Sequence, residues 1–372
     1  MRSSDDIAHG SFEGKRWGES VKRQLLIWFT LERRCWGRVL KPGNQPGRTP
    51  ESFPVLANAR LDRRAKPARM GVMPAYCLAE IIIDSDLELP LPVAGEEAKQ
   101  AAVRLELGSV LEPHEVPEKA GWDWPSAQSA CLSYPGVGKA WIREGEQVLL
   151  RPQTTSESAT EWRGLIIPCF AALFHQRGDL SLHASAVSID GNAIGVMGYR
   201  GAGKSTLTAQ LVGGGARFMG DDLLLTGNDP KTGDLVAYPG FSIIKLWEDA
   251  VREAGGSFSR IGRLYPDAAK DGFSPSGDES SSASAPLRCL FVLEEGEEVK
   301  VESLSRADAL AELLKHTYGV EVFDHRPLPV HFQQCGDIAA RVSVKRLIRP
   351  KTFACAEEVR NAVSASLREI VS

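Results

Sequence analysis

The sequence predicts an α/β protein: a phosphate-loop (P-loop) domain preceded by a smaller, mostly β domain. Three observations predict it. Residues 198–205 read GYRGAGKS, a GxxxxGK[ST] loop set between an apolar strand-like run (AIGVM) and a helix-like run (STLTAQLV). Strand-like and helix-like stretches then continue to the end of the chain. Residues 76–165 instead hold short apolar runs such as VRLELGSV and KAWIREGEQVLLRP, separated by Gly, Pro and Asp, the pattern of short strands. The expected boundaries are 1–72 for a basic extension, 73–165 for the small β domain and 166–372 for the P-loop domain.

The extension stands apart by charge. Its first 72 residues carry 15 Lys/Arg against 7 Asp/Glu, a charge of +8, whereas the whole chain of 372 residues is at −4. One amphipathic helix is predicted over 19–39, followed by Pro- and Gly-rich residues and a second basic run. Two readings stay open: a basic arm for an acidic partner surface, or a disordered or non-native stretch, since Met70 and Met73 both offer a later start.

In the β domain, CLAEIIIDSDLELPLP reads as a strand, an acidic turn and a Pro-limited strand. GLIIPCFAALFHQRG (164–178) reads as a helix. Residues 180–198 read as a hairpin across Asp190-Gly191, a favoured two-residue turn. STLTAQLVGGG is a helix stopped by three glycines, and ARFMGDDLLLTG reads as one strand. The Ser-rich stretch 272–286 is expected to be a mobile loop. A strand (LRCLFVLEE), a helix at 306–318 and an αβα run complete the chain.

Composition bounds the function. With 43% hydrophobic and 25% charged residues the chain is ordinary for a globular protein. The near balance of 44 Lys/Arg and 48 Asp/Glu argues against a dedicated nucleic-acid binder. No run approaches the ~18–20 apolar residues of a membrane span, and the polar start is no secretory signal. Seven single cysteines, never in a CxxC pair, argue against a disulfide framework or structural zinc. The expectation is a cytoplasmic protein with no membrane or nucleic-acid partner.

The loop carries the chemistry. Glycines let the backbone wrap closely around phosphate oxygens and point N–H groups inward, and the following helix adds its positive end. Gly198, Tyr199, Arg200, Gly201, Ala202, Gly203, Lys204, Ser205 and Thr206 are the candidate nucleotide-binding residues. Lys204 is placed to reach the β- and γ-phosphates, and the Ser205 hydroxyl to ligate Mg²⁺. Arg200 either touches the γ-phosphate or substrate, or faces water.

Asp221-Asp222 lie at the end of ARFMGDD, where P-loop proteins commonly hold their magnesium. On a regular strand two adjacent acids point to opposite faces. They should not do the same job unless the chain turns there: one can serve the metal while the other faces an incoming hydroxyl as a base, or one of them is a simple turn or cap acid. His183 precedes the loop's strand and by itself reads as structural. Lys245, which ends the strand-like run FSIIK, either reaches phosphate or is a solvated strand-end lysine.

At these residues the sequence resembles the kinase domain of the HPr kinase/phosphorylase family, whose fold is of the HPr-kinase/PEP-carboxykinase-like type. That family carries a leucine–histidine, a phosphate loop and a strand ending in two aspartates; here these are Leu182-His183, 198–205 and Asp221-Asp222. The close match covers 181–225. The resemblance implies an ATP- and Mg²⁺-dependent serine kinase with 166–372 as its kinase domain. It implies base chemistry for Asp222, support from His183, and metal binding by Ser205 and Asp221. Thr206 departs from the family, whose bifunctional members have glutamate there, and their later arginine–glycine signature for phosphorolysis has no copy here. AYPGFSIIKLW (237–247) and SDLELP (85–90) are similar instead to divergent members, some from lasso-peptide biosynthesis, which phosphorylate the C-terminal serine of a precursor peptide. The expected partners are therefore a peptide or small-protein substrate and, as an open case, a second copy of the chain in a homo-oligomer. A nucleotide hydrolase or switch, or a non-catalytic nucleotide-binding protein, remains the alternative.

Overall fold

The structure is a computed structural model and describes residues 11–12, 15–16, 74–95, 102–108, 120–153, 162–265, 269–276, 279–319 and 328–372. The chain divides into two compact units, Met1–Val72 and Met73–Ser372. In the first, strands β1 (Ser11–Phe12) and β2 (Lys15–Arg16) form an antiparallel pair. The helix predicted over 19–39 and the later basic run of the extension lie outside the described residues.

The second unit is mixed α/β. It begins with β3 (Tyr76–Leu78), β4 (Ile81–Ser85), β5 (Val103–Leu107), β6 (Gly121–Ser126), β7 (Ser129–Tyr134), β8 (Gly138–Arg143) and β9 (Gln147–Pro152). They form one sheet in the order β3-β4-β5-β9-β8-β7-β6, parallel only where β5 meets β4 and β9. Alternation places Ile81, Ile83, Val103 and Leu105 inward. They share a core with helix α1 (Arg163–Arg177).

Helix α1 is apolar on nearly every side, so it must be covered all round. Its core includes the first sheet on one hand and Leu223, Leu225 and Phe241 on the other. The helix expected to open the kinase domain thus belongs as much to the β domain's core. Ser242 N–H donates to the Pro90 carbonyl (2.8 Å), so the two segments that carried the finer sequence resemblance touch each other.

Pro168 lies inside α1 and has no N–H to offer the carbonyl four residues back. That carbonyl belongs to Gly164, and the Tyr265 hydroxyl donates to it at 2.6 Å. A Cβ at Gly164 would lie 2.6 Å from the Leu264 carbonyl oxygen, so this close approach requires glycine.

The rest builds a nine-stranded sheet. Its strands are β10 (Ser181–Leu182), β11 (Ala184–Ile189), β12 (Asn192–Met197), β13 (Arg217–Gly220), β14 (Leu224–Asn228), β15 (Leu235–Ala237), β19 (Ala285–Glu295), β20 (Lys300–Ser303) and β21 (Ser343–Arg349). A three-stranded sheet of β16 (Ile244–Leu246), β18 (Asp271–Pro275) and β17 (Phe258–Arg263) lies between them in sequence. The expected hairpin forms as β11 and β12, with Asp190 and Gly191 at φ 49° and 75°, as a primed two-residue turn requires. The Ser-rich stretch differs from expectation: residues 272–275 are strand in β18, held between β16 and β17.

Helices cover both faces of the large sheet, as a three-layer α/β plan requires. Neighbouring residues of β19 split between them: Leu290 and Val292 pack with α4 (Arg306–Lys315) and α5 (Leu328–Arg341), while Phe291 and Leu293 pack with the opposite layer. That layer holds α2 (Lys204–Gly213), α3 (Glu248–Ala254) and α6 (Ala356–Val371). No helix among the described residues is long and apolar enough to cross a membrane.

The Tyr265–Gly164 bond yields a stability prediction. Tyr265→Phe should cost about 1–3 kcal/mol by stranding a partly buried carbonyl. Pro168→Ala, which returns an N–H to that carbonyl, should recover part of the loss. Thermal melting of the two single variants and the double variant checks this, and purely additive losses would refute the pairing.

Candidate active site

Strand direction gathers the site. β12 and β13 both run antiparallel to β11, so they are parallel to each other; β19 and β21 are also parallel to β12. Their carboxyl ends therefore lie on one edge, where ligands of open α/β sheets bind. The loop follows β12, the aspartate pair follows β13, Arg349 ends β21, and His183 enters β11 from the same edge.

Gly201 and Gly203 take φ 86° and 95°, conformations that side chains resist. Lys204 opens α2 and is buried, and its Nζ donates to the Gly198 carbonyl (2.9 Å) across the loop. Burial lowers its pKa, while Asp222 and Asp221 oppose that shift. Of the loop residues, Tyr199, Arg200, Gly201, Gly203, Lys204, Ser205 and Thr206 line a cavity of about 740 Å³. Gly198 and Ala202 do not line it and act through their carbonyls. The Tyr199 ring is 69% exposed and stands edge-on against His316.

The strand predicted through Asp221-Asp222 is broken there. β13 stops at Gly220, β14 starts at Leu224, and Asp222 adopts φ 66°. Asp is among the residues that tolerate this left-handed region. The turn overrides the opposite-face rule: Asp222 lines the cavity, and Asp221 bonds Ser205 behind it.

Asp221 is 2% exposed. It accepts from Ser185 Oγ at 2.5 Å, from Ser205 Oγ at 3.0 and 3.1 Å, and from the Lys245 amide at 3.2 Å. Burial, reinforced by Asp222, raises its pKa; Lys245 and the Ser185 bond offset only part of this. Asp222 lines the cavity and is ion-paired to Lys245 Nζ, with His183 Nε2 at 3.6 Å from its other oxygen. Burial opposes its ionisation, but Lys245 and His183 outweigh that and hold the carboxylate below its usual range. Lys245 sits in β16 and is not a solvated strand end. Burial works against its charge and Asp222 restores it.

The donor set suits Mg²⁺. Ser205 and Asp221 offer hard oxygens side by side, in hydrogen-bond contact at 3.0 and 3.1 Å, the donor type that Mg²⁺ takes. Among the described residues no group of three His, Cys, Asp or Glu side chains forms a metal cage, so phosphate oxygens or water would complete the shell.

Several cavity residues were not singled out in the sequence: Tyr265, Tyr318, Lys270 and Arg349, with Ser185 behind them. Ser185 had a readable signal, because it lies two residues from His183 on an extended segment and so shares its face. The others come from distant segments and gave none.

No family model matches the chain, and no curated protein matches it in sequence. Among solved structures it is similar to the HPr(Ser) kinase/phosphatase from Coxiella burnetii, with 12% identity and a TM-score of 0.28 over 52% of this chain and 99% of that one. The chemistry of the site therefore has to be read from its own geometry.

The two aspartates have opposite effects on stability. A carboxyl whose folded pKa is raised costs the fold stability at neutral pH, and that cost fades as pH falls toward the ordinary range near ~4. Asp221→Asn should thus melt higher than the parent at pH 7 in metal-free buffer, by a few degrees. The gain should shrink on acidification. A lower melting temperature at pH 7 would show that the hydroxyls of Ser185 and Ser205 need the full carboxylate.

Proposed function

We propose that this chain is an ATP-dependent kinase that transfers the γ-phosphoryl group to a serine hydroxyl of a peptide or small protein. One observation carries the reading: Asp222, turned out of its strand, faces the cavity beside the phosphate loop while Asp221 stays behind it on Ser205. A carboxylate beyond the loop and a second one on the metal-binding hydroxyl are the two acids a phosphotransferase of this kind needs.

Each residue then has a task. The loop amides and the start of α2 hold the phosphates, and Lys204 exchanges the Gly198 carbonyl for phosphate oxygen. Ser205 and Asp221 would hold Mg²⁺, which supplies charge neutralisation on the phosphates when bound. Lys245 shifts from Asp222 toward the γ-phosphate, adding positive charge where negative charge gathers. That shift frees Asp222 to accept the proton of the attacking hydroxyl as the bond to the nucleoside diphosphate breaks. A weakly basic carboxylate suits this task, since a loose transition state asks for the proton late. His183 keeps the carboxylate oriented.

Six cationic residues line the cavity against two acids, Asp222 and Asp249. That excess suits a polyanionic nucleotide together with an acceptor bearing its own carboxylate. The C-terminal serine of a lasso-peptide precursor, suggested by the sequence resemblance, is such an acceptor.

Transfer from γ-labelled ATP tests the reading. Lys204→Ala should abolish both nucleotide binding and turnover. Asp222→Asn should keep ADP affinity within about threefold while transfer falls by ~10²–10⁴-fold, the range of a lost general base. Phosphate release at full rate without any acceptor would make the protein a nucleotide hydrolase instead.

A further inference from the structure

Arg349 is the least compensated charge at the site. It ends β21, is 7% exposed and lines the cavity. Its Nη1 donates to the Pro350 carbonyl (3.1 Å) and its Nη2 to the Ala202 carbonyl (3.3 Å). Among the described residues its Nε has no hydrogen-bond partner and no carboxylate pairs with the guanidinium. Burial pushes its pKa below the ordinary value, with only weak opposition from Cys355 and Glu295. A buried cation without an anion is unfavourable unless an anion arrives.

Its position says which anion. The guanidinium lies against the last glycine of the loop, where a Cβ at Gly203 would collide with Nη2. β21 reaches the loop's strand through β19, and β13 reaches it through β11. The strands that end in Arg349 and lead to Asp222 therefore flank the loop's strand on opposite sides, each two strands away, about 10 Å at ~4.8 Å per strand. On the kinase reading, phosphoryl transfer belongs to the side where Asp222 lines the cavity.

We propose that Arg349 binds the nucleotide's α- or β-phosphate, so that the nucleotide lies across the strand ends with its γ-phosphate toward Asp222 and its nucleoside toward residues 351–353. This deepens the kinase reading and rests on it. The Ala202 bond fixes the guanidinium plane against the loop; only two of the five N–H donors are used, and with Nε enclosed by protein the second N–H groups of Nη1 and Nη2 are the donors left for a phosphate oxygen. Arginine suits this role because its planar donors remain charged when buried more readily than an ammonium.

The test is Mg²⁺-ADP binding without acceptor, by calorimetry, on the full chain and on Arg349→Gln and Arg349→Met. Glutamine keeps a donor for the Ala202 carbonyl but not the charge. Both variants should lose tenfold or more in ADP affinity, with a ligand-free melting temperature no lower than the parent's, since an unpaired buried charge has gone. Should the Met variant not fold, the Gln variant decides alone. Unaltered ADP affinity in a folded variant overturns the proposal. So does a lower ligand-free melting temperature with ADP affinity retained in Arg349→Gln, which would make Arg349 a buttress of the loop. Unchanged ADP affinity with a raised KM for an unphosphorylated peptide acceptor ending in serine also overturns it, giving the guanidinium to the acceptor's carboxylate. If the parent chain binds no ADP, the kinase reading fails too, whereas a binding parent with unaltered variants removes the Arg349 assignment alone.

Discussion

Charge burial at the strand ends is the constraint on which the rest of the site depends. Lys204, Asp221, Asp222, Lys245 and Arg349 are drawn from four places in the chain and converge on one cavity and its wall. Removing charges from water is costly unless each finds a partner. Only Asp222 and Lys245 satisfy each other directly. Asp221 has hydroxyls and an amide, and Arg349 has two carbonyls. The cavity thus holds excess positive charge, an arrangement that favours a polyanion.

The backbone accepts strain to achieve this. Asp222 at φ 66° breaks what would otherwise be a continuous strand and turns two sequential acids onto one site. Gly203 leaves room for Arg349, so the loop's last glycine serves its own curvature and a neighbour's side chain together. The β domain contributes from behind. Tyr134 packs on Tyr265 with ring centroids 4.9 Å apart, and Tyr265 lies 5.9 Å from Lys245 Nζ while its hydroxyl repairs the gap left by Pro168. The Lys245 side of the cavity is thereby tied to the core around α1.

Much of the fold was legible in the sequence. The Asp190-Gly191 turn, the helix ending at Gly178, the loop–helix junction and the final αβα run all follow local rules of turn chemistry and periodicity. Two readings went wrong for the same reason. ARFMGDDLLLTG has the apolar pattern of one strand, and nothing local announces that Asp222 turns left-handed. The Ser-rich stretch looks unstructured by composition, yet residues 272–275 are strand because β16 and β17 supply their hydrogen bonds.

By itself the sequence determined the glycine-rich loop between β12 and α2, because its glycines, lysine and serine are adjacent and their geometry is set by the strand and helix that flank them. It also singled out Asp221 and Asp222, and the family resemblance added His183; the structure brings all three to the edge where that loop lies. Only the tertiary structure decided that Lys245 guards Asp222, that Ser185 and Ser205 share Asp221, and that Arg349 faces the loop from the other side. Those pairings join residues separated by up to about 150 positions. They exist because parallel strand pairing brings the carboxyl ends of distant segments to one edge, a long-range event that no local pattern encodes.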